Sequence, residues 1–151
     1  MIYYFISILV VVLDHLSKWI VLNKMDLYQS IPIIEGWFHF TSTRNRGAAF
    51  SILQGQRWFF IVLTLFVVAF IGYYLYRIHK TQKLFSLSLA LILGGAIGNL
   101  IDRVRFGEVV DFIDVRIINF AVFNIADSAI TIGVILMLWD VFINKNESFL
   151  K

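Results

Sequence analysis

The chain has 151 residues, of which 60% are hydrophobic and only 15% are charged, and it carries a net charge of +3 and no cysteine. A soluble domain is less apolar and more charged, and a small one has too little interior to bury this surplus. The composition therefore indicates a membrane protein and excludes disulfides and cysteine-based catalysis. The basic residues are scattered, which argues against nucleic acid as a partner.

Four apolar stretches are long enough to cross a hydrocarbon core of about 30 Å, which takes about 20 helical residues. They lie at residues 2–22, 58–76, 84–101 and 122–143. Backbone groups in lipid must bond within their own segment, so each stretch is predicted to be a transmembrane helix. The first lacks the basic start and the cleavage signal of a leader peptide and is interpreted as a retained span. We expect one all-α integral membrane domain over residues 1–151.

The loop between the first two spans, residues 23–56, contains a run rich in aromatic and β-branched residues from Trp37 to Thr43. This composition predicts a short strand, so the four helices should carry a small β-containing loop. The second large loop, residues 102–121, mixes charges with apolar pairs, and no strand is predicted there.

The link between the second and third spans is short and basic, with Arg77, Lys80 and Lys83 in seven residues. More basic residues lie in the other loops, but the positive-inside rule gives most weight to short loops near span ends. We therefore place this link and both termini in the cytoplasm, and the two large loops outside it.

Polar residues that should reach the outer half of the membrane form a convergent set. Its members are Asp14, Lys18, Asn45, Asn99, Asp102, Arg103, Asp111, Asn124 and Asp127. Charged groups in a bilayer are costly and usually face an interior or a wet cavity. The set therefore predicts a functional site.

Several chemistries are excluded by what the set lacks. The three histidines are far apart, and no zinc-binding pattern or serine with a histidine base is present. The Gly94-Gly95 pair lies inside a helix and indicates close helix packing, not a phosphate loop. Paired carboxylates remain: one keeps a proton and polarises a carbonyl while the other activates water. No metal and no cofactor is expected.

Five motifs occur in order along the chain. They are Asp14-x-x-Ser17-Lys18, Asn45-x-Gly47-Ala48-Ala49-Phe50, Gly95-x-x-Gly98-Asn99-x-x-Asp102-Arg103, Val109-Val110-Asp111-Phe112 and Phe123-Asn124-x-Ala126-Asp127-Ser128. Together with four spans, they resemble the bacterial prolipoprotein signal peptidases, or signal peptidase II. The resemblance covers nearly the whole chain and departs at no motif position.

The resemblance implies a membrane aspartyl endopeptidase that cuts prolipoproteins before a diacylglyceryl-modified cysteine. It would be a multi-pass protein of the bacterial cytoplasmic membrane, with its site on the extracytoplasmic side. The catalytic pair would be Asp111 and Asp127. The residues expected to bind substrate or support the site are Asp14, Lys18, Asn45, Gly95, Asn99, Arg103 and Asn124. The expected partners are the lipidated substrate and membrane lipid, and we expect a monomer.

Alternative interpretations stand beside these. A structural ion pair explains Asp14 and Lys18 as well as a direct role in substrate binding does. Asp102 and Arg103 can be explained as a pair with each other. Asp114 lies three residues from Asp111 and is a rival for its role, although it is interpreted as surface charge. The alternative function is a small transporter or channel. That function predicts polar residues through the full depth of the bundle, whereas the second span is apolar apart from Thr64.

Overall fold

The structure, a computed structural model, describes residues 1–47 and 53–149, with side chains as far as residue 143. Its elements in chain order are α1 (Ile2–Lys24), β1 (Ser30–Ile34), β2 (Phe38–Asn45), α2 (Arg57–Ile78), α3 (Lys83–Phe106), β3 (Val109–Val115), a 3-10 helix (Arg116–Ile118) and α4 (Ile125–Phe149). Within the described residues, four helices are long and apolar enough to cross a membrane, as predicted.

Two of the predicted span ends are wrong by several residues. The third helix was expected to end at residue 101, but α3 continues to Phe106 and stops at Gly107, whose φ of +77° forms a left-handed cap. Asp102 and Arg103 therefore lie on a helix and not in a loop. The fourth was expected to begin at residue 122, but α4 begins at Ile125, because Phe123 pairs with Ile113 of β3.

The helix α3 is the centre of the bundle and packs against α1, α2 and α4. In the apolar stretch of α3, 61% of the residues are buried, whereas the corresponding share in the other three helices is 17–28%. Small residues allow this close packing: a Cβ on Gly94 would lie 2.6 Å from the Ser7 carbonyl oxygen of α1, and one on Gly95 would collide with the Ala126 carbonyl of α4. The predicted packing role of the two glycines is confirmed.

Both large loops contribute to one antiparallel sheet with the order β1-β2-β3. The predicted strand in the first loop is β2. The strand β3 is not predicted by the sequence, because residues Val109–Phe112 are all buried and show no alternation of apolar and polar positions. Phe123 then bonds to β3 through its backbone, with Phe123 N donating to Ile113 O at 3.0 Å. The sheet thereby brings the start of α4 next to Asp111.

Candidate active site

Asp111 and Asp127 are joined by a network of two asparagines. Asp111 lies on β3 with 2% of its surface exposed, and Asp127 lies in the first turn of α4. The Asn124 side-chain amide donates to Asp111 Oδ1 at 2.7 Å and to Asn99 Oδ1 at 3.1 Å. The Asn99 amide in turn donates to Asp127 Oδ1 at 2.7 Å. The predicted convergence of these four residues is confirmed.

Asp127 also caps its own helix. The Asn124 side-chain oxygen accepts the Asp127 N–H at 2.9 Å, and Asp127 Oδ2 accepts the Asn124 N–H at 3.2 Å. These reciprocal bonds form a capping box, which satisfies two N–H groups that the helix would leave unpaired. The carboxylate also sits at the positive end of the helix dipole, which favours its ionised form.

Asp111 lies on a buried strand. Burial raises its pKa to about 7, and the nearby charge of Asp127 adds to the rise. Hydrogen bonds from Asn124 and Asn45 act against the rise because they stabilise the ionised form. A carboxyl group with this pKa can hold a proton near neutral pH.

A cavity of about 550 Å³ opens in front of the pair. Its polar end is formed by Asp111, Asp127 and three other predicted site residues, Asn45, Asn99 and Arg103. Arg103 donates to the Gly47 carbonyl oxygen at 3.0 Å. The rest of the motif that begins at Asn45, residues 48–50, lies outside the described residues.

Apart from Ser128 and Thr131, the remaining walls of the cavity are apolar, and the sequence did not identify them. They include Ile118, Phe120, Val122, Phe123, Ile130 and Ile132. The available signal was a run at residues 117–123, apolar except for Asn119, between two polar motifs. In a chain with 60% hydrophobic residues such a run does not stand out.

A buried ion cluster lies behind the pair. Lys18 Nζ is 2.7 Å from Asp14 Oδ2, 2.9 Å from Asp102 Oδ2 and 3.0 Å from Asn99 Oδ1. The predicted pairing of Asp14 with Lys18 is confirmed. The alternative pairing of Asp102 with Arg103 is wrong, because Asp102 pairs with Lys18 and adjacent residues on a helix point in different directions.

Asp114 belongs to a different face of the sheet. It accepts hydrogen bonds from Thr41 at 2.6 Å and Arg116 at 2.9 Å and is only 7% exposed, so its interpretation as surface charge is wrong. Partial burial works against ionisation, but these two bonds and the Arg116 charge lower the pKa of Asp114. Residues three apart on a strand face opposite ways, so Asp114 does not line the cavity beside Asp111.

Known proteins match this chain over nearly its full length. The family model described as signal peptidase (SPase) II matches residues 6–143. The chain is 51% identical over 146 residues to a lipoprotein signal peptidase of Brevibacillus brevis, which covers 97% of this chain and 98% of that protein.

Two solved structures of a bacterial membrane enzyme, obtained by the in meso method, are also similar. The one at 2.3 Å resolution has a TM-score of 0.90 and 38% identity, and covers 99% of this chain and 91% of that chain. The one at 1.9 Å resolution has a TM-score of 0.84 and 38% identity, and covers 92% of this chain and 91% of that chain. These comparisons give the transporter or channel alternative no support.

Proposed function

Because the chain belongs to the signal peptidase II family, we propose that Asp111 and Asp127 are its catalytic pair. The family are aspartic peptidases, and the protein is a membrane hydrolase that removes signal peptides from prolipoproteins. The observation that carries the proposal is the position of two carboxyl groups on one asparagine network, at the polar end of an otherwise apolar cavity.

The two carboxyl groups have different roles. Asp127 accepts hydrogen bonds from Asn99 and from the Asn124 backbone, which suit an ionised base. It takes a proton from water as the oxygen attacks the scissile carbonyl carbon. Asp111, which carries the proton of the pair, donates it to the carbonyl oxygen as negative charge develops there. The proton on Asp127 then passes to the leaving nitrogen, and Asp111 recovers its own when the carbonyl re-forms.

The residues around the pair position it and the substrate. Asn99 and Asn124 fix the two carboxyl groups by the bonds described above. Asn45 and Arg103 line the cavity and present donors to the backbone carbonyls of a bound peptide. Gly95 allows α4 to approach α3 closely enough for Asp127 to reach Asn99.

The substrate is a prolipoprotein that carries a diacylglyceryl-modified cysteine. The apolar cavity walls support this proposal, because acyl chains need such a surface. One wall residue, Ile132, is 51% exposed on a membrane-spanning helix, so the cavity adjoins the lipid. We further propose that the protein acts as a monomer and forms a single integral membrane domain.

The protein spans the bacterial cytoplasmic membrane with its site on the extracytoplasmic side. The site and the sheet lie at the same end of the bundle, at the start of α4 and the end of α3. The opposite end holds the short turn between α2 and α3, which is flanked by Arg77 and Lys83. The positive-inside rule places that turn in the cytoplasm.

The test is cleavage of a model prolipoprotein peptide by the purified protein in lipid. We compare the diacylglyceryl-modified peptide with the same peptide bearing an unmodified cysteine, and identify the cut bond by mass spectrometry. We expect a single cut immediately before the modified cysteine and no cut in the unmodified peptide. Equal cleavage of both peptides would refute the lipid requirement.

A further inference from the structure

The ion cluster behind the site contains more charge than a simple tether between helices requires. Asp14 and Lys18 on α1 and Asp102 on α3 are each at most 2% exposed. One ammonium group thus faces two carboxylates in the interior, and the only other ionisable group beside them among the described residues is the His15 imidazole, 3.8 Å from Asp102 Oδ1. Burying an ion costs several kcal/mol even when it is paired. A single ion pair would join α1 to α3, so the second carboxylate calls for a separate explanation.

Each carboxylate of the cluster accepts a backbone N–H from the residue that immediately precedes one of the catalytic aspartates. Asp14 Oδ1 accepts the Ala126 N–H at 2.9 Å, next to Asp127. Asp102 Oδ2 accepts the Val110 N–H at 3.3 Å, next to Asp111. Lys18 lies between the two carboxylates and bonds to both.

We propose that Asp14, Lys18 and Asp102 form a positioning triad that sets the separation of Asp111 from Asp127. The inference rests on the proposed catalytic pair. Successive Cα atoms are a fixed 3.80 Å apart. A hydrogen bond that holds the N–H of Val110 or Ala126 therefore limits how far the Cα atom of the following aspartate can move. The triad therefore links the helix that carries one aspartate to the strand that carries the other, through groups that do not line the cavity.

Close packing removes the remaining freedom on the Asp14 side. A Cβ on Gly98 would lie 2.7 Å from Asp14 Oδ2, so the glycine leaves room for this carboxylate and little more. The N-terminus of α4 is therefore bonded to a carboxylate that is itself confined by α3.

The two carboxylates differ in a way that makes the proposal testable. At Asp102, the bonds to Lys18 and to Val110 both go to Oδ2. An amide oxygen in that position accepts both, so Asp102→Asn keeps the link. At Asp14, the bond to Lys18 goes to Oδ2 and the bond to Ala126 goes to Oδ1. An asparagine has only one acceptor oxygen. In Asp14→Asn the amide NH2 group therefore faces either the Lys18 ammonium or the Ala126 N–H, which are both donors, and the link between Lys18 and Ala126 is broken.

The experiment measures kcat and KM for a lipidated prolipoprotein peptide with Asp102→Asn, Asp102→Leu and Asp14→Asn, and checks folding by circular dichroism. A catalytic group displaced by about 1 Å loses about 10²-fold in rate. We expect Asp14→Asn and Asp102→Leu to lose kcat by about that factor with little change in KM, and Asp102→Asn to stay within about threefold of the wild type. Equal losses for Asp102→Asn and Asp14→Asn, or unchanged kcat in all three folded variants, would overturn the proposal.

Asp111→Asn and Asp127→Asn, measured in the same preparation, separate the two ideas. If both are inactive while the triad variants keep full kcat, the triad proposal alone fails. If either is active, the catalytic pair fails and the triad with it.

A second measurement covers the case in which a triad variant does not fold. The α-hydroxy acid analogue of valine at position 110, or of alanine at position 126, replaces one N–H by an ester oxygen and leaves every side chain in place. We expect each ester to reduce kcat by about tenfold, since a partly displaced group loses part of the factor above. Normal kcat in both esters would overturn the proposal.

Discussion

The side-chain amide of Asn124 donates a hydrogen bond of 2.7 Å to Asp111. The same residue is the N-terminal cap of α4 and forms a capping box with Asp127. One side chain therefore orients one carboxyl group directly and begins the helix that presents the other. The geometry of the pair therefore depends on this asparagine.

The first prediction concerns this asparagine. Asn124→Leu keeps the approximate volume but removes both the donor to Asp111 and the acceptor for the Asp127 N–H. We expect kcat to fall by about 10²-fold from misplacement, and the free energy of unfolding to fall by about 1 kcal/mol from the lost cap. The matched control is Asn23→Leu, at an exposed position near the end of α1. An Asn124→Leu protein with normal kcat would contradict the bridging role.

The second prediction concerns the catalytic pair. Asparagine has nearly the shape of aspartate but cannot exchange the proton, so Asp111→Asn and Asp127→Asn should each abolish turnover of the lipidated peptide. Because the two act as a unit, the double variant should be hardly worse than either single one. Asp114→Asn, outside the cavity, should keep most of the activity. A folded Asp111→Asn protein that cleaves at a normal rate would exclude Asp111 as a catalytic group.

The third prediction is a pH dependence. Asp111, with a pKa of about 7, is protonated below that value and loses the proton above it. The value of kcat/KM should therefore fall as the pH rises through about 7. The hydrogen bond from Asn45 lowers the pKa of Asp111. Asn45→Ala should consequently move the falling limb to higher pH, whatever its effect on the maximal rate. An unmoved limb, or one shifted to lower pH, would contradict this assignment.

The fourth prediction concerns the contact of α3 with α4. In Gly95→Ala the new methyl group would collide with the Ala126 carbonyl, one residue before Asp127. We expect a loss of kcat, even though alanine is intrinsically about 1 kcal/mol better than glycine in a helix. In Gly72→Ala on α2 the methyl group would meet nothing within 4 Å, so this variant should keep its activity. Equal activity in the two variants would show that the approach of α4 does not matter.

The fifth prediction concerns topology. The chain has no cysteine, so a single introduced cysteine is its only labelling site. A membrane-impermeant maleimide applied to intact cells should label Glu35→Cys, in the exposed turn between β1 and β2, and should leave Gln82→Cys, before α3, unlabelled until the cells are opened. The reverse pattern would place the active site in the cytoplasm.

The sequence by itself determined the membrane character, the four spans and the set of polar residues that converge at one end of the bundle. These features are local: an apolar stretch of about 20 residues must be a helix in lipid, and a charge inside it needs a polar environment. The motifs that contain Asp111 and Asp127 also follow one another in the order that the family shows, so the catalytic candidates required no coordinates.

Only the tertiary structure decided how these residues are connected. The strand β3 is buried on both faces and lacks an alternating pattern, so its pairing with β2, and with it the place of Asp111, is invisible in the sequence. The partner of Asp102 was also undetermined. The ion-pair partner of a charged residue on a helix can come from any element that packs against it. Which residues come within reach depends on how closely the helices approach, and the sequence does not give that distance. Asp102 therefore pairs with Lys18 of α1 and not with the adjacent Arg103, which was the alternative partner.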